Sequence, residues 1–166
     1  MTLLQSLIRQ KAAINEEFFA VIGGVDAEAH AAERDGLIRL MNHIYVVDRI
    51  FAAHLAGELH GYLATNTPET PPLQTLHEAV LVSDRGFLEL VDTLMPPQLA
   101  QSVDFTFTDG QRGRMSREEM LGHVITHGSY HRGEVGQTLK RIAAVPPRDL
   151  FTAHLHRSEP QRRATA

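Results

Sequence analysis

The chain has 166 residues, 43% of them hydrophobic, and 16 Lys and Arg against 20 Asp and Glu leave a formal net charge of −4. That size fits one ordinary domain with a buried core, and the acidic balance argues against an electrostatic grip on nucleic acid or anionic lipid. Cysteine is absent and histidine occurs ten times, which excludes disulfides, a Cys nucleophile and Cys-ligated metal and leaves imidazole as the plentiful ligand and near-neutral acid or base.

The chain opens Met1-Thr2-Leu3-Leu4-Gln5, with no basic segment leading into an apolar core. No apolar run approaches the roughly 20 residues of a membrane span. Together these predict a cytoplasmic protein without a secretory signal. Leu4, Leu7, Ile8, Ile14, Phe18, Val21 and Ile22 recur at helical spacing. Thr2 with Gln5 offers a capping box, and Gly23-Gly24 a stop. A second helix carries Leu37, Leu40, Met41, Ile44, Val47, Phe51 and Leu55 and fades towards Gly57 or Gly61. Residues 64–72, rich in Thr and Pro, read as a loop. The third helix carries Leu73, Leu76, Val80, Leu81, Phe87, Leu88, Val91 and Leu94, and Pro96-Pro97 ends it.

The period then changes. Val103, Phe105 and Phe107 alternate with polar residues before Asp109-Gly110, so a two-stranded ribbon is predicted over about 102–115. Ser116 with Glu119 forms a second capping box, opening a fourth helix through Met120, Val124, His131, Val135, Leu139 and Ile142. Pro146-Pro147 stops it. The fold class is therefore all-α, a four-helix bundle over residues 1–150 with a small β-hairpin before the last helix. Residues 151–166, with Arg157, Ser158, Arg162 and Arg163, read as a loosely held tail.

His123, His127 and His131 lie four apart on the fourth helix. Four residues advance about 400° and about 6 Å, so neighbours in this series point the same way. A pair of them can meet one ion at about 2.0–2.1 Å. His123 and His131 stand about 12 Å apart along the axis, so one ion takes only an adjacent pair. His127 and His131 border the inward stripe and are favoured, although spacing alone leaves His123 with His127 open. The third ligand must come from another helix. His43 lies on the inner flank of the second helix, and His77, near the stripe of the third, is the alternative. His54 falls about 16 Å further along the second helix and cannot serve the same ion. Three protein ligands would leave a coordination position for water or substrate, the arrangement of catalytic sites.

His30, His60, His154 and His156 lie in or near loops and read as solvated, without a role. Tyr45, Tyr62 and Tyr130 read as packing or hydrogen-bonding residues. Gly128, Gly133 and Gly136 cost helix propensity, which close helix approach or room for a ligand would explain.

Asn42-His43-Ile44-Tyr45-Val46-Val47-Asp48-Arg49 and His127-Gly128-Ser129-Tyr130-His131-Arg132-Gly133-Glu134 together resemble the DinB family of the DinB/YfiT-like superfamily. The resemblance extends over roughly residues 1–150, including Asn15-Glu16 and the hairpin. It implies a four-helix bundle holding a divalent ion, zinc or nickel, on His43, His127 and His131. His123 then supports the site or packs beside it. The family commonly has Gln after His-Arg-Gly, where this chain has Glu134. Glu134 is read as a solvated charge, with orientation of a ligand His as the alternative.

Relatives in that superfamily include thiol-dependent S-transferases and a maleylpyruvate isomerase. The resemblance therefore implies a metal-dependent transferase or hydrolase that activates a small thiol or water for attack on an electrophilic small molecule. Without Cys in the chain, any thiolate must arrive with a cosubstrate. No residue is assigned as general base. The competing reading is a non-catalytic, stress-related metal- or ligand-binding bundle. A homodimer is expected from the resemblance and from how common C2 pairs are.

Overall fold

Thr2 closes the start of the first helix as the capping box requires. The Gln5 amide donates to Thr2 Oγ1 at 3.2 Å and the Thr2 amide to Gln5 Oε1 at 2.7 Å. In this computed structural model, which describes residues 1–162, helix α1 spans Leu3–Gly23. The long helices that follow are α2 (Ala31–Ala56) and α3 (Leu73–Thr93). Pro96–Leu99 forms one turn, α4, because proline's fixed φ suits a first helical position as well as it ends a preceding helix. Strands β1 (Ser102–Thr106) and β2 (Arg112–Ser116) pair antiparallel, and helix α5 spans Arg117–Arg141. Its capping box is also formed, with the Glu119 amide donating to Ser116 Oγ at 3.1 Å.

The four long helices bury their stripes against one another. Helix α2 lies chiefly on α5, and α1 on α3. One half of the core holds Phe18, Ile22, Leu37, Met41, Val135 and Leu139, and the other holds Phe51, Leu55, Phe87, Phe105, Met120 and Val124. Phe105 is the buried residue of the hairpin, opposite Gly113 in the ladder. A Cβ at Gly113 would stand 2.5 Å from the Phe105 ring and 2.8 Å from that of Phe107. Glycine there lets both rings fold across the ribbon, which docks it on α2 and turns its aromatic face towards the bundle.

Charge is buried where the helices meet. Lys11 Nζ of α1 reaches Asp48 of α2 at 2.6 Å and Asp84 of α3 at 2.5 Å, with all three side chains at most 6% exposed. Asn15 donates to Asp84 at 2.8 Å and accepts from Arg132 of α5 at 3.0 Å. Arg132 continues to Asp149, 2.9 Å away, which also accepts from Gln10.

One helix extends beyond the stripe that announced it, and the expected tail is more ordered than its sequence suggests. Helix α2 begins six residues before Leu37, in a stretch holding Glu33, Arg34 and Asp35 that has no apolar stripe to announce it. Residues 151–158 form helix α6 (Phe151–Ser158) against α1, with Arg157 donating to Glu17 at 2.7 Å, and Pro160–Arg162 make a 3₁₀ turn. The last four residues of the expected tail, Arg163 among them, lie outside the described residues. No described helix is long and apolar enough to cross a membrane.

Candidate metal centre

Helices α2 and α5 run side by side, and their facing histidines meet. His127 Nε2 is 3.0 Å from His43 Nε2, which is 3.1 Å from His131 Nε2. The three rings are partly buried, and among the described residues they form the one cluster of three or more His and carboxylate ligands close enough to share an ion, with ligand atoms within 4.8 Å of one another.

The hydrogen bonds on the far side of two rings fix what the near side offers. His43 Nδ1 lies 2.7 Å from the Thr65 carbonyl oxygen, which can only accept, so Nδ1 carries the proton and Nε2 a lone pair. His131 Nδ1 lies 2.6 Å from Glu134 Oε2, which places its proton in the same way. Two lone pairs 3.1 Å apart repel unless a cation or proton lies between them. Imidazole nitrogens bound tetrahedrally at about 2.0–2.1 Å stand about 3.3 Å from one another. For these two pairs a widening of a few tenths of an ångström matches that spacing, and three imidazole nitrogens are a donor set that suits such an ion. Glu134 is thus more than the solvated charge expected of it, since three residues along a helix is the spacing that lets it reach His131.

Burial favours the neutral forms of His43 and His127. Burial pushes the pKa of His127 down to about 3, and the neighbouring His131, His43 and His123 push the same way. His43 is lowered mainly by burial, against the opposing pull of the Thr65 carbonyl. His127 Nδ1 is buried without a hydrogen-bond partner. Neutral imidazole is the form that ligates metal.

The loop after α2 sets Thr65 in place. Buried Asn42 donates to Asn66 Oδ1 and, at 2.6 Å, to Thr67 Oγ1, while Arg39 donates to the Thr67 carbonyl at 3.0 Å. This staple is what brings a backbone carbonyl behind His43. Asn42 stands in the quoted motif, but a residue that acts through its carbonyl, as Thr65 does, leaves no signal in the sequence.

The remaining histidines separate cleanly. His123 stacks on Phe51, with ring centroids 4.5 Å apart, and on His127 at 5.4 Å. His77 stacks on Phe19 of α1, away from the cluster. His54 and His60 pack edge to face at 5.1 Å, so His60, expected to be solvated, is a packing residue. Tyr130 is 68% exposed and sets its ring edge on to His131. Gly128 answers neither to helix approach nor to ligand space: a Cβ there would lie 2.9 Å from Arg132 Nη1, so its absence makes room for that guanidinium.

A four-helix bundle with three imidazoles converging from two neighbouring helices defines a helical protein with a cluster that could hold a metal ion between its helices. The sequence matches the DinB family over residues 5–163, nearly the whole chain, and the chain belongs to that family. No curated protein matches it.

Proposed function

We propose that His43, His127 and His131 hold one divalent ion, zinc or nickel by ligand chemistry, and that the chain is an enzyme transferring a small thiol, or water, to an electrophilic small molecule. The observation that supports this most is the convergence of three Nε2 atoms, two of them fixed as lone-pair donors by Thr65 and Glu134. A divalent ion bound there would lower the pKa of a thiol or water beside it. The chain's own residues do the rest. Thr65 and Glu134 hold two rings in the ligating tautomer, and burial keeps His127 uncharged. In the transfer the sulfur or oxygen forms the new bond to the electrophilic carbon, its proton departs, and the electron pair of the broken bond leaves with the displaced group.

Metal analysis of purified protein tests the site. About one ion per chain is expected, lost in His43→Ala and in His127→Ala and kept in His123→Ala. Retention in the first two variants overturns the assignment. A panel of small thiols with a generic electrophile then tests the reaction, and turnover that survives chelation overturns metal dependence.

A further inference from the structure

Beside the histidine cluster, between α2, α5 and the hairpin, lies a cavity of about 230 Å³. His43 and His127 form one wall of it, so anything bound there lies against two of the three proposed ligands. Three observations restrict what it holds.

The first is size. An apolar cavity of about 150 Å³ accommodates benzene, and pockets for drug-sized ligands begin near 300 Å³. The volume here suits one ring with small substituents. The second is the shape and chemistry of the walls. Phe51 and Phe105 stand 6.0 Å apart at 55°, Phe107 meets Phe105 nearly edge to face at 4.8 Å, and His123 lies stacked on Phe51. Such tilted ring faces and edges are the partners a planar ring prefers. The third is charge. Among the described residues no Lys, Arg, Asp or Glu lines the cavity. Without an ion on the neighbouring histidines, an ionic group placed there would lose hydration with no charged side chain to pair it. Among the described residues its polar company is Thr65, Thr108 and the histidines. The His54 ring packs on Phe105 and the His123 ring on Phe51.

We propose that this cavity binds the uncharged, single-ring aromatic part of the electrophile, an inference that rests on the metal-dependent transfer proposed above. A polar, charged thiol does not suit these walls, so the cavity assigns its occupant to the acceptor side of the reaction. Phe107, on the hairpin and 45% exposed, forms the outer part of the aromatic wall.

The test titrates the full chain, zinc-free and zinc-loaded, with benzyl alcohol, benzoate and benzylammonium, followed by amide chemical shifts. In the zinc-free chain benzyl alcohol is expected to bind saturably and perturb the hairpin and α5, with both charged probes weaker by tenfold or more, in line with the cost of an unpaired buried charge. Phe107→Ala, which removes an exposed ring, should weaken benzyl alcohol by roughly two- to tenfold. Thr108→Trp, which fills the cavity from its rim, should abolish binding. Equal binding of charged and neutral probes to the zinc-free chain, or indifference to both variants, overturns the inference whether or not the protein takes up an ion. A chain that takes up benzyl alcohol with this selectivity but holds no zinc overturns the metal reading and leaves the cavity assignment standing.

Discussion

Two polar regions cross the same helices and are built on opposite rules. In the ionic network every charged group has a counterpart: Lys11 sits between Asp48 and Asp84, and Arg132 between Asn15 and Asp149. Asp48 Oδ1 alone lacks a partner. In the histidine cluster like faces like, with the Nε2 lone pairs of His43 and His131 turned towards one another. A buried network with its bonds made rigidifies a fold, whereas one left unsatisfied marks a position held open for something else. Helix α5 carries both, with Arg132 facing α1 and the adjacent His131 facing α2. The contrast separates what the fold needs from what the site needs.

Lys11→Met attacks the first region and should have the largest effect. It leaves two buried carboxylates facing each other without their cation, and losing one partner of a buried pair costs about 3–5 kcal/mol. Urea denaturation measures this loss. The contrast predicts that whatever fraction stays folded still holds its ion, while His127→Ala loses the ion without a comparable loss of metal-free stability. A Lys11→Met protein as stable as the parent would show that the network does not hold the helices.

The sequence reveals the two regions unequally. The amphipathic stripes, both capping boxes and the hairpin are local patterns, so the bundle and its hairpin were legible from periodicity and turn chemistry. Helical geometry favoured His43, His127 and His131 while leaving His123 and His77 open, the family resemblance singled the three out, and the structure brings their rings together. What lay hidden depends on distance in three dimensions. Thr65 acts through its backbone, and Lys11, Asp84 and Arg132 meet only once three helices have packed. Glu134 was visible as a departure from the family's usual Gln, but a half-exposed carboxylate at helical spacing reads as a solvated charge until its bond to His131 is seen.

Asp48 sharpens the comparison through pH. Two carboxylates share one ammonium, and burial, reinforced by Asp84 and opposed by Lys11, raises the Asp48 pKa to about 6. The unfolded chain would titrate near 3.9. The raised folded value means that the contribution of protonated Asp48 is fully present below about pH 4 and is lost as pH rises through about 6, by up to about 3 kcal/mol. Asp48→Asn cannot ionise. Its stability relative to the parent should therefore improve by that order between pH 4 and 7, measured by urea denaturation of both proteins across the range. A constant difference would mean that Asp48 keeps one protonation state throughout, and that the network is not short of a proton at neutral pH.

Glu134 gives the smallest effect and the finest discrimination, because it belongs to the site and not to the fold. Its side chain is 46% exposed, so its removal should leave the denaturation midpoint nearly unchanged. Its bond to His131 Nδ1 orients that ring and raises the basicity of Nε2, and losing such a partner costs about 10–100-fold in metal affinity. Glu134→Ala should fall within that range. Glu134→Gln keeps an acceptor oxygen of the same reach but removes the negative charge, so it should weaken zinc by about tenfold or less. Competition with a chromophoric chelator separates the two. If Gln matches Glu, orientation of His131 is the whole contribution; if Gln falls as far as Ala, the carboxylate's charge carries it. Equal zinc affinity in all three proteins would remove Glu134 from the site and leave the tautomer of His131 without its support.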